Sequence, residues 1–188
     1  MDRYKFALQL VWSICSKPDA TLRYEALLNT FYGKNVFRQF VMPLVEMLFV
    51  VVFVSSLFTF NFNIAISCVR TIFDCFSFVA SYGVLFWLIR WLTMRFFVEY
   101  INDRSVAMIV AVLMSVVFVV NALQSIFPNL FFISFFYVYV FYLVWVMSEG
   151  VVDISEEKRN KYMCFVSILV FVMPFVMRKL LNLMVPNL

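Results

Sequence analysis

The chain has 188 residues, 65% of them hydrophobic and 14% charged, with a mean hydropathy of +0.96 and a formal net charge of +4 at pH 7. A soluble domain of this size could not bury so much apolar surface, so the composition excludes that class and predicts an integral membrane protein. The chain contains no histidine, which excludes Ser–His and Cys–His nucleophile pairs and imidazole metal ligands within it.

The first 36 residues predict an amphipathic helical head that lies in the cytoplasmic interface of the membrane. Helical periodicity in YKFALQLVWSICSK separates a polar face from an apolar one, and the apolar face carries Tyr4, Leu8, Val11, Trp12 and Cys15. A cleaved signal peptide is the competing interpretation. Gln9 and Ser13 interrupt its apolar core, and no small-residue cleavage site follows.

A second head helix is predicted after Pro18, which ends the first one. It runs from about Ala20 to Tyr32, and Gly33 can close it. Basic residues near an apolar face bind anionic lipid surfaces. The residues expected to contact the membrane surface are therefore Lys5, Trp12 and Lys17.

Five apolar segments follow the head, and each approaches or exceeds the roughly 20 residues that cross the hydrocarbon core of a bilayer. Because lipid cannot satisfy backbone hydrogen-bonding groups, these segments are predicted to be helices. The predicted spans are Phe37–Phe60, Thr71–Met94, Ser105–Phe127, Leu130–Ser148 and Tyr162 to about Val185. The predicted fold is thus an all-α membrane protein, with a head at residues 1–36 and a five-helix transmembrane domain at residues 37–188.

Three local features concern the last three predicted spans. The sequence FPNL at residues 127–130 predicts a tight hairpin between the third and fourth spans. The clean apolar run of the fifth span stops at Met177, which leaves open a tail that bends along the interface. Pro174 is expected to kink this span.

The distribution of basic residues predicts the orientation of the chain. With the N-terminus inside, eleven Lys and Arg residues fall on the inner side and three on the outer side. The prediction is a multi-pass protein of the bacterial inner membrane, with a cytoplasmic N-terminus and the C-terminus outside. The basic residues do not interleave with aromatic ones in a patch, so no nucleic-acid partner is expected.

Polar residues inside the spans are the candidates for function, because an ionisable group in lipid normally faces the bundle interior and has a partner. A local ion pair between Arg70 and Asp74 is the plain interpretation of the second span. Polar residues near the outer end of the third span could also meet Asp74 in an outer pocket, although such residues more often only join helices. The candidate intramembrane polar site comprises Glu46, Arg90, Asp74, Asn121 and Gln124.

Glu46 lies about a third of the way into the first span and needs an explanation of its own. One hypothesis pairs it with Arg90 of the second span, at a similar depth from the inner surface. The alternative is a protonated Glu46 that is hydrogen-bonded to backbone or to a tyrosine, with Arg90 extending to the headgroups.

Several motifs along the chain carry a family resemblance. They are SKPDA in the head, FVMPL at the entry to the first span, FP between the third and fourth spans, YVYVFYLVWVMSEG, and a charged loop before the last span. In this order they resemble the Yip-domain family, five-span membrane proteins named for their interaction with Rab-type GTPases, and most of all its compact bacterial members. The resemblance implies a five-span fold and a role in interaction.

The function expected from the sequence is that of a non-enzymatic membrane scaffold that organises membrane proteins or lipid, without a cofactor. Its partners would be the lipid bilayer and other membrane proteins, and a homo-oligomer is left open. The alternative is a small transporter or channel subunit that uses the intramembrane polar residues. Against that alternative, five spans cannot divide into two equal inverted halves.

Overall fold

A computed structural model describes residues 3–31, 35–127, 131–152 and 154–184, and every regular element in these ranges is a helix. The all-α prediction is therefore confirmed. The α-helices are α1 (Arg3–Ser16), α2 (Pro18–Thr21), α3 (Tyr24–Thr30), α4 (Met42–Thr59), α5 (Ile64–Phe96), α6 (Asp103–Ile126), α7 (Val138–Gly150) and α8 (Glu156–Met184). A π-helical turn (Phe37–Val41) precedes α4, and a 3-10 helix (Phe131–Tyr137) precedes α7. The predicted Tyr32–Gly33 end of the head, residues 128–130 of the FPNL hairpin and the last four residues lie outside the described ranges.

Among the described residues, four helices are long and apolar enough to cross a membrane: Phe37–Thr59, Ile64–Phe96, Asp103–Ile126 and Glu156–Leu181. They correspond to the first, second, third and fifth predicted spans. The fourth predicted segment, Leu130–Ser148, is different, because its α-helical part begins only at Val138 and its apolar helix, Phe135–Gly150, is shorter. The predicted count of five spans is therefore not confirmed.

Pro43 explains the irregular start of the first long helix. Its ring has no N–H and collides with the carbonyl four residues earlier, so the preceding turn cannot be a regular α-helix. The chain widens there into the π-helical turn, in which the N–H of Met42 donates to the carbonyl of Phe37, five residues back. The helix then continues to Thr59.

A tight turn and a side-chain cap set the start of α5. Asn61 and Phe62 have positive φ angles of 48° and 62°, which reverse the chain directly after α4. The Asn63 side chain then accepts a hydrogen bond from the Ile66 N–H at 3.2 Å and caps the helix. At 33 residues, α5 is about 50 Å long, which exceeds the roughly 30 Å hydrocarbon core.

The last helix, α8, begins at Glu156, six residues before the predicted start of the fifth span at Tyr162, and ends close to the predicted end. It passes through Pro174 without ending and continues beyond Arg178 and Lys179 to Met184. A separate tail along the interface, which the sequence left open, is therefore not seen as far as Met184.

The third long helix, α6, forms the centre of the fold. Nearly all its side chains from Ser105 to Val120 are buried, as expected of a helix that is apolar on every side. Helices α1, α4, α5 and α7 and the 3-10 helix pack around it. Helix α8 packs outside, against α5 and α7, and exposes large apolar side chains such as Phe165, Ile168 and Phe175.

The head packs against this bundle as part of one hydrophobic core. The face of α1 that packs inward carries Ala7, Leu10, Val11 and Ile14. Of the face that was predicted to lie against lipid, Val11 departs from the prediction because it packs inward. The small and branched side chains fit closely against the bundle, whereas Leu8 and Trp12 stay exposed on the other side.

Candidate functional site

A polar cavity lies between α4, α5, α6 and α8, near the end of the bundle where α4 joins α5 at Asn63. Its volume is about 310 Å³. Asp74 of α5 and Asn121 and Gln124 of α6 all line it, together with Arg70 and Arg178. Asp74, Asn121 and Gln124, which the sequence suggested could meet in an outer pocket, are therefore brought together here, and their role as a site stays a prediction. We call this pocket the Asn63-end cavity.

Asp74 is the centre of the charge arrangement in the Asn63-end cavity. Its Oδ1 lies 3.2 Å from Nη2 of Arg178, and its Oδ2 lies 4.0 Å from Nε of Arg70. The predicted local pair with Arg70 is thus the looser of the two contacts. The side chain of Asp74 is 20% exposed, against 54% for Arg178. The closer pair joins α5 to α8 across the rim of the cavity.

The rest of the lining grades from polar to apolar. Thr59 and Ser55 of α4 lie toward the Asn63 end, and the Ser55 hydroxyl donates to the carbonyl of Ser125 on α6. Deeper along the helices the lining becomes apolar, with Phe78 on α5 and Phe171 on α8. The cavity therefore offers charges toward the Asn63 end and aromatic surface further along the helices.

Buried side chains of α5 lie beyond the cavity, toward the other end of the bundle. Ser81 is fully buried and donates to the carbonyl of Ser77 at 2.7 Å. Beyond it on the same face of α5 lie Leu85 and Ile89, both 0% exposed. These three side chains are not part of the cavity lining, which on α5 ends at Phe78.

Glu46 forms a second polar cluster, apart from the cavity. Nη2 of Arg3 lies 2.8 Å from Oε2 of Glu46, and the Tyr4 hydroxyl donates to the same oxygen. Both partners belong to α1, so the carboxylate of α4 holds the N-terminal end of the head. We call these three residues the head clamp.

The opposite end of the head is tied to α7. The Tyr139 hydroxyl donates to the carbonyl of Ile14 at 2.8 Å, and the Tyr142 hydroxyl donates to Asp19 at 2.6 Å. Nη2 of Arg104, in the first turn of α6, also donates to the carbonyl of Phe31. The head is therefore attached at three places to three different helices.

The predicted pair between Glu46 and Arg90 is wrong. Nε of Arg90 lies instead 3.0 Å from Oδ1 of Asp103, a pair of exposed side chains that bridges the loop between α5 and α6. As in the alternative interpretation, a tyrosine, Tyr4, donates a hydrogen bond to Glu46. A cation of the head, Arg3, also contacts the same carboxylate.

The register of α4 against α5 explains the error. The ring of Phe37 lies 5.4 Å from the ring of Tyr82, and Sγ of Cys75 lies 3.9 Å from the carbonyl of Val45. Arg90 is eight residues beyond Tyr82, and Glu46 is nine residues from Phe37 in the opposite direction. At a rise of 1.5 Å per residue, the Cα atoms of Glu46 and Arg90 are therefore about 25 Å apart along the bundle axis.

The three residues expected at the membrane surface are all exposed. Trp12 is 74% exposed, and Lys5 and Lys17 also lie on the outside of the head. Desolvation raises the pKa of the neighbouring Cys15 thiol, as is common beside an apolar surface. This end of α1 therefore presents an apolar side chain flanked by cations.

Sequence reasoning missed three partners in these clusters. Arg178 belongs to the cavity although it lies 104 residues from Asp74, and its only signal was a cation one turn beyond Pro174. Arg3 and Tyr4 were treated as part of a separate head. The intramembrane carboxylate of Glu46, which requires a partner, was the signal that could have led to them.

In the part of the chain that the structure describes, the fold is all-helical, and four helices are long and apolar enough to cross a membrane. Comparisons of the chain with protein-family models, with curated proteins and with solved structures find no match. The Yip-domain resemblance therefore stays a prediction.

Proposed function

We propose that the chain is a non-enzymatic integral membrane scaffold of Yip-like type, which organises other membrane proteins or lipid. The observation that carries the proposal is the head clamp of Arg3, Tyr4 and Glu46. A carboxylate within a membrane helix is costly, and here it fixes the amphipathic head in one position. A fixed head presents a defined surface to a partner without first losing conformational freedom.

The proposed topology has five spans. The 3-10 helix of seven residues and α7 of thirteen residues follow each other directly, and together they extend about 34 Å. That length is close to the roughly 30 Å core of a bilayer. With the positive-inside distribution of Lys and Arg, the N-terminus is cytoplasmic and the Asn63 end faces outside, in a bacterial inner membrane.

The surface that the head offers is mixed in character. Trp12 and Leu8 are exposed apolar side chains, and Lys5 and Lys17 are exposed cations. Such a surface suits anionic lipid headgroups and the acidic interfacial segments of other membrane proteins. A second copy of the chain is one such partner.

Photocrosslinking in native membranes tests the scaffold proposal. A photoreactive residue at position 5 should give an adduct of defined mass in the wild-type chain. The adduct should weaken when Glu46→Gln releases the clamp, while a photoreactive residue at position 62, at the opposite end of the bundle, should not give it. The absence of any defined adduct, together with an unchanged membrane composition when the chain is deleted, would contradict the proposal.

A small transporter or channel subunit is the second candidate, and the Asn63-end cavity favours it. Charged and amide side chains around about 310 Å³ could hold a solute. Transport additionally requires an opening beyond Leu85 and Ile89, which are packed shut here. Proteoliposomes that move neither ions nor small carboxylates would dispose of this candidate.

A further inference from the structure

We propose that the Asn63-end cavity binds a small amphiphilic anion, with its carboxylate or phosphate group at Arg178 and Arg70 and its apolar part against Phe78 and Phe171. This inference goes beyond the scaffold proposal and does not depend on it.

The charge balance of the cavity favours an anion. Among the described residues that line it, the charged ones are Arg70, Arg178 and Asp74, so the net charge is +1. A guanidinium carries five N–H donors, more than the single Asp74 oxygen at 3.2 Å from Arg178 can accept. Asp74 also lies 4.0 Å from Arg70, a long distance for an ion pair. Arginine binds carboxylate and phosphate through paired N–H donors, which makes these two groups the matching ligands.

The exposure of Arg178 and the burial of Asp74 also favour an anionic ligand. Arg178 is about half exposed, so it can reach a ligand at the rim without losing its hydration completely. Asp74 is more buried and holds Arg178 from the inner side. A purely structural ion pair between α5 and α8 needs no space beside it, whereas here a volume of about 310 Å³ lies next to the pair.

The volume of the cavity and its apolar lining define the size and the apolar part of the ligand. Ligand pockets commonly measure about 300–1,000 Å³, so this one fits a small molecule or the headgroup region of a lipid and not a whole lipid. The apolar lining consists of the buried Phe78 and of Phe171 and Phe175, which are 56% and 70% exposed, and Pro174 interrupts the hydrogen-bond ladder of α8 at this level. On α5 the lining ends at the buried Phe78, so the ligand would stay toward the Asn63 end.

Two sources can supply this chemistry, a free amphiphilic anion and an anionic lipid. The test therefore has two arms, both on the full chain, with the unfolding midpoint as the readout. In neutral detergent the additives are hexanoate, inorganic phosphate and hexanol, the last being the uncharged match of hexanoate. In nanodiscs, phosphatidylcholine alone is compared with a mixture that contains phosphatidylglycerol.

We expect hexanoate to raise the midpoint in a saturable manner and hexanol to leave it unchanged, if the ligand is a free anion. A rise with phosphatidylglycerol, without a rise with hexanoate or phosphate, assigns the site to a lipid headgroup. Either result supports the proposal. No saturable stabilisation by any of these anions, or equal effects of hexanoate and hexanol, overturns it.

Three variants separate a ligand site from a structural ion pair. Arg178→Gln should weaken the apparent affinity by about tenfold or more, since a charge-assisted contact is lost. Lys179→Gln removes the same charge from the adjacent residue, which does not line the cavity, and should change the affinity by less than about twofold. Asp74→Asn should strengthen anion binding even where it lowers the stability of the free protein, because it removes the competing carboxylate.

A structural ion pair predicts no gain in affinity from Asp74→Asn. Equal affinities of Arg178→Gln and Lys179→Gln, or weaker binding by Asp74→Asn, would overturn the proposal. Each variant is first checked for a monodisperse elution profile at the wild-type position. If Arg178→Gln does not yield a folded protein, Arg178→Lys takes its place. The double variant Arg70→Gln/Arg178→Lys should then bind the anion most weakly, Arg178→Lys more tightly, and the wild type most tightly.

Discussion

Replacing Glu46 by Gln should loosen the head from the bundle, while the four long helices stay assembled. The change removes the charge that holds Arg3 at 2.8 Å but leaves an amide oxygen that can still accept from Tyr4. Head and bundle also remain joined by the Tyr139 and Tyr142 hydrogen bonds. Local opening of the head, and not global unfolding, is therefore the expected result.

The magnitude follows from the exposure of the two side chains. Arg3 is 49% exposed and Glu46 is 33% exposed, so solvent screening reduces the ion pair to about 0.2–1 kcal/mol. The half-buried hydrogen bond from Tyr4 loses its charged acceptor, which costs roughly a further 0.5–1 kcal/mol. The sum is close to 1.4 kcal/mol, which is about a tenfold change in the population of the open head.

The assay measures how fast a buried head position is alkylated. Ala7 is 0% exposed against the bundle, so a single cysteine at that position, in a chain without its native cysteines, reacts only when the head opens. Glu46→Gln should raise the alkylation rate about tenfold. Lys5→Gln, which removes an exposed charge from the same helix, is the matched control and should stay within about twofold.

A double-mutant cycle completes this test. Arg3→Gln and Glu46→Gln together should cost less than the sum of the two single changes, because each one alone already breaks their contact. Equal alkylation rates in Glu46→Gln and Lys5→Gln would refute the reasoning. An alkylation rate in the wild-type background that equals the rate in denaturant would also refute the reasoning.

Three further predictions concern topology, a surface ion pair and the head. A membrane-impermeant thiol reagent added outside should label Asn63→Cys and miss Asp103→Cys and Glu157→Cys, and the reverse pattern would contradict the proposed orientation. Arg90→Gln should lower the free energy of unfolding by less than about 1 kcal/mol, because both partners of this pair are exposed; a loss above about 2 kcal/mol in chemical denaturation would show a buried role. With the other tryptophans replaced by Phe, the fluorescence of Trp12 should be quenched by brominated lipid, and unquenched emission would place its side chain in water.

Much of the fold could be predicted because its physical causes are local. Composition and apolar run length were enough to predict the helical class and four of the long helices, including the all-round apolar α6. The polar residues of the Asn63-end cavity could be grouped because Asp74 and Asn121 both lie near the same end of their spans. Arg70 could be paired with Asp74 because both lie on one helix at i and i+4.

The rest depends on how helices are placed against each other, which run length does not determine. The Glu46–Arg90 hypothesis assumed that α4 starts level with the end of α5, whereas Phe37 lies beside Tyr82. Helix α1 carries two apolar stripes, one with Ala7 and one with Trp12, and only the second was identified from the sequence. Which stripe packs inward depends on the surface that receives it.

The fourth predicted segment shows a different limit. Its sequence LFFISFFYVYVFYLVWVMS is continuously apolar, so hydropathy alone treats it as one α-helix. Several large or branched side chains in succession, such as Phe131–Phe136, have low helix propensity, and the first seven described residues form a 3-10 helix instead. Helix propensity and hydropathy therefore predict different structures for this segment. Its assignment as a membrane span rests on the proposed five-span topology.

Crosslinking between the head and α7 tests most directly the claim that the head is a fixed part of the bundle. In native membranes, a short bismaleimide should join native Cys15 to Tyr142→Cys, because residue 142 lies against the segment that contains Asp19. Phe62→Cys, at the opposite end of the bundle, is the matched control and should not be joined to Cys15. Efficient crosslinking of the first pair alone is the predicted result, and its absence, or equal crosslinking of both pairs, would contradict a docked head.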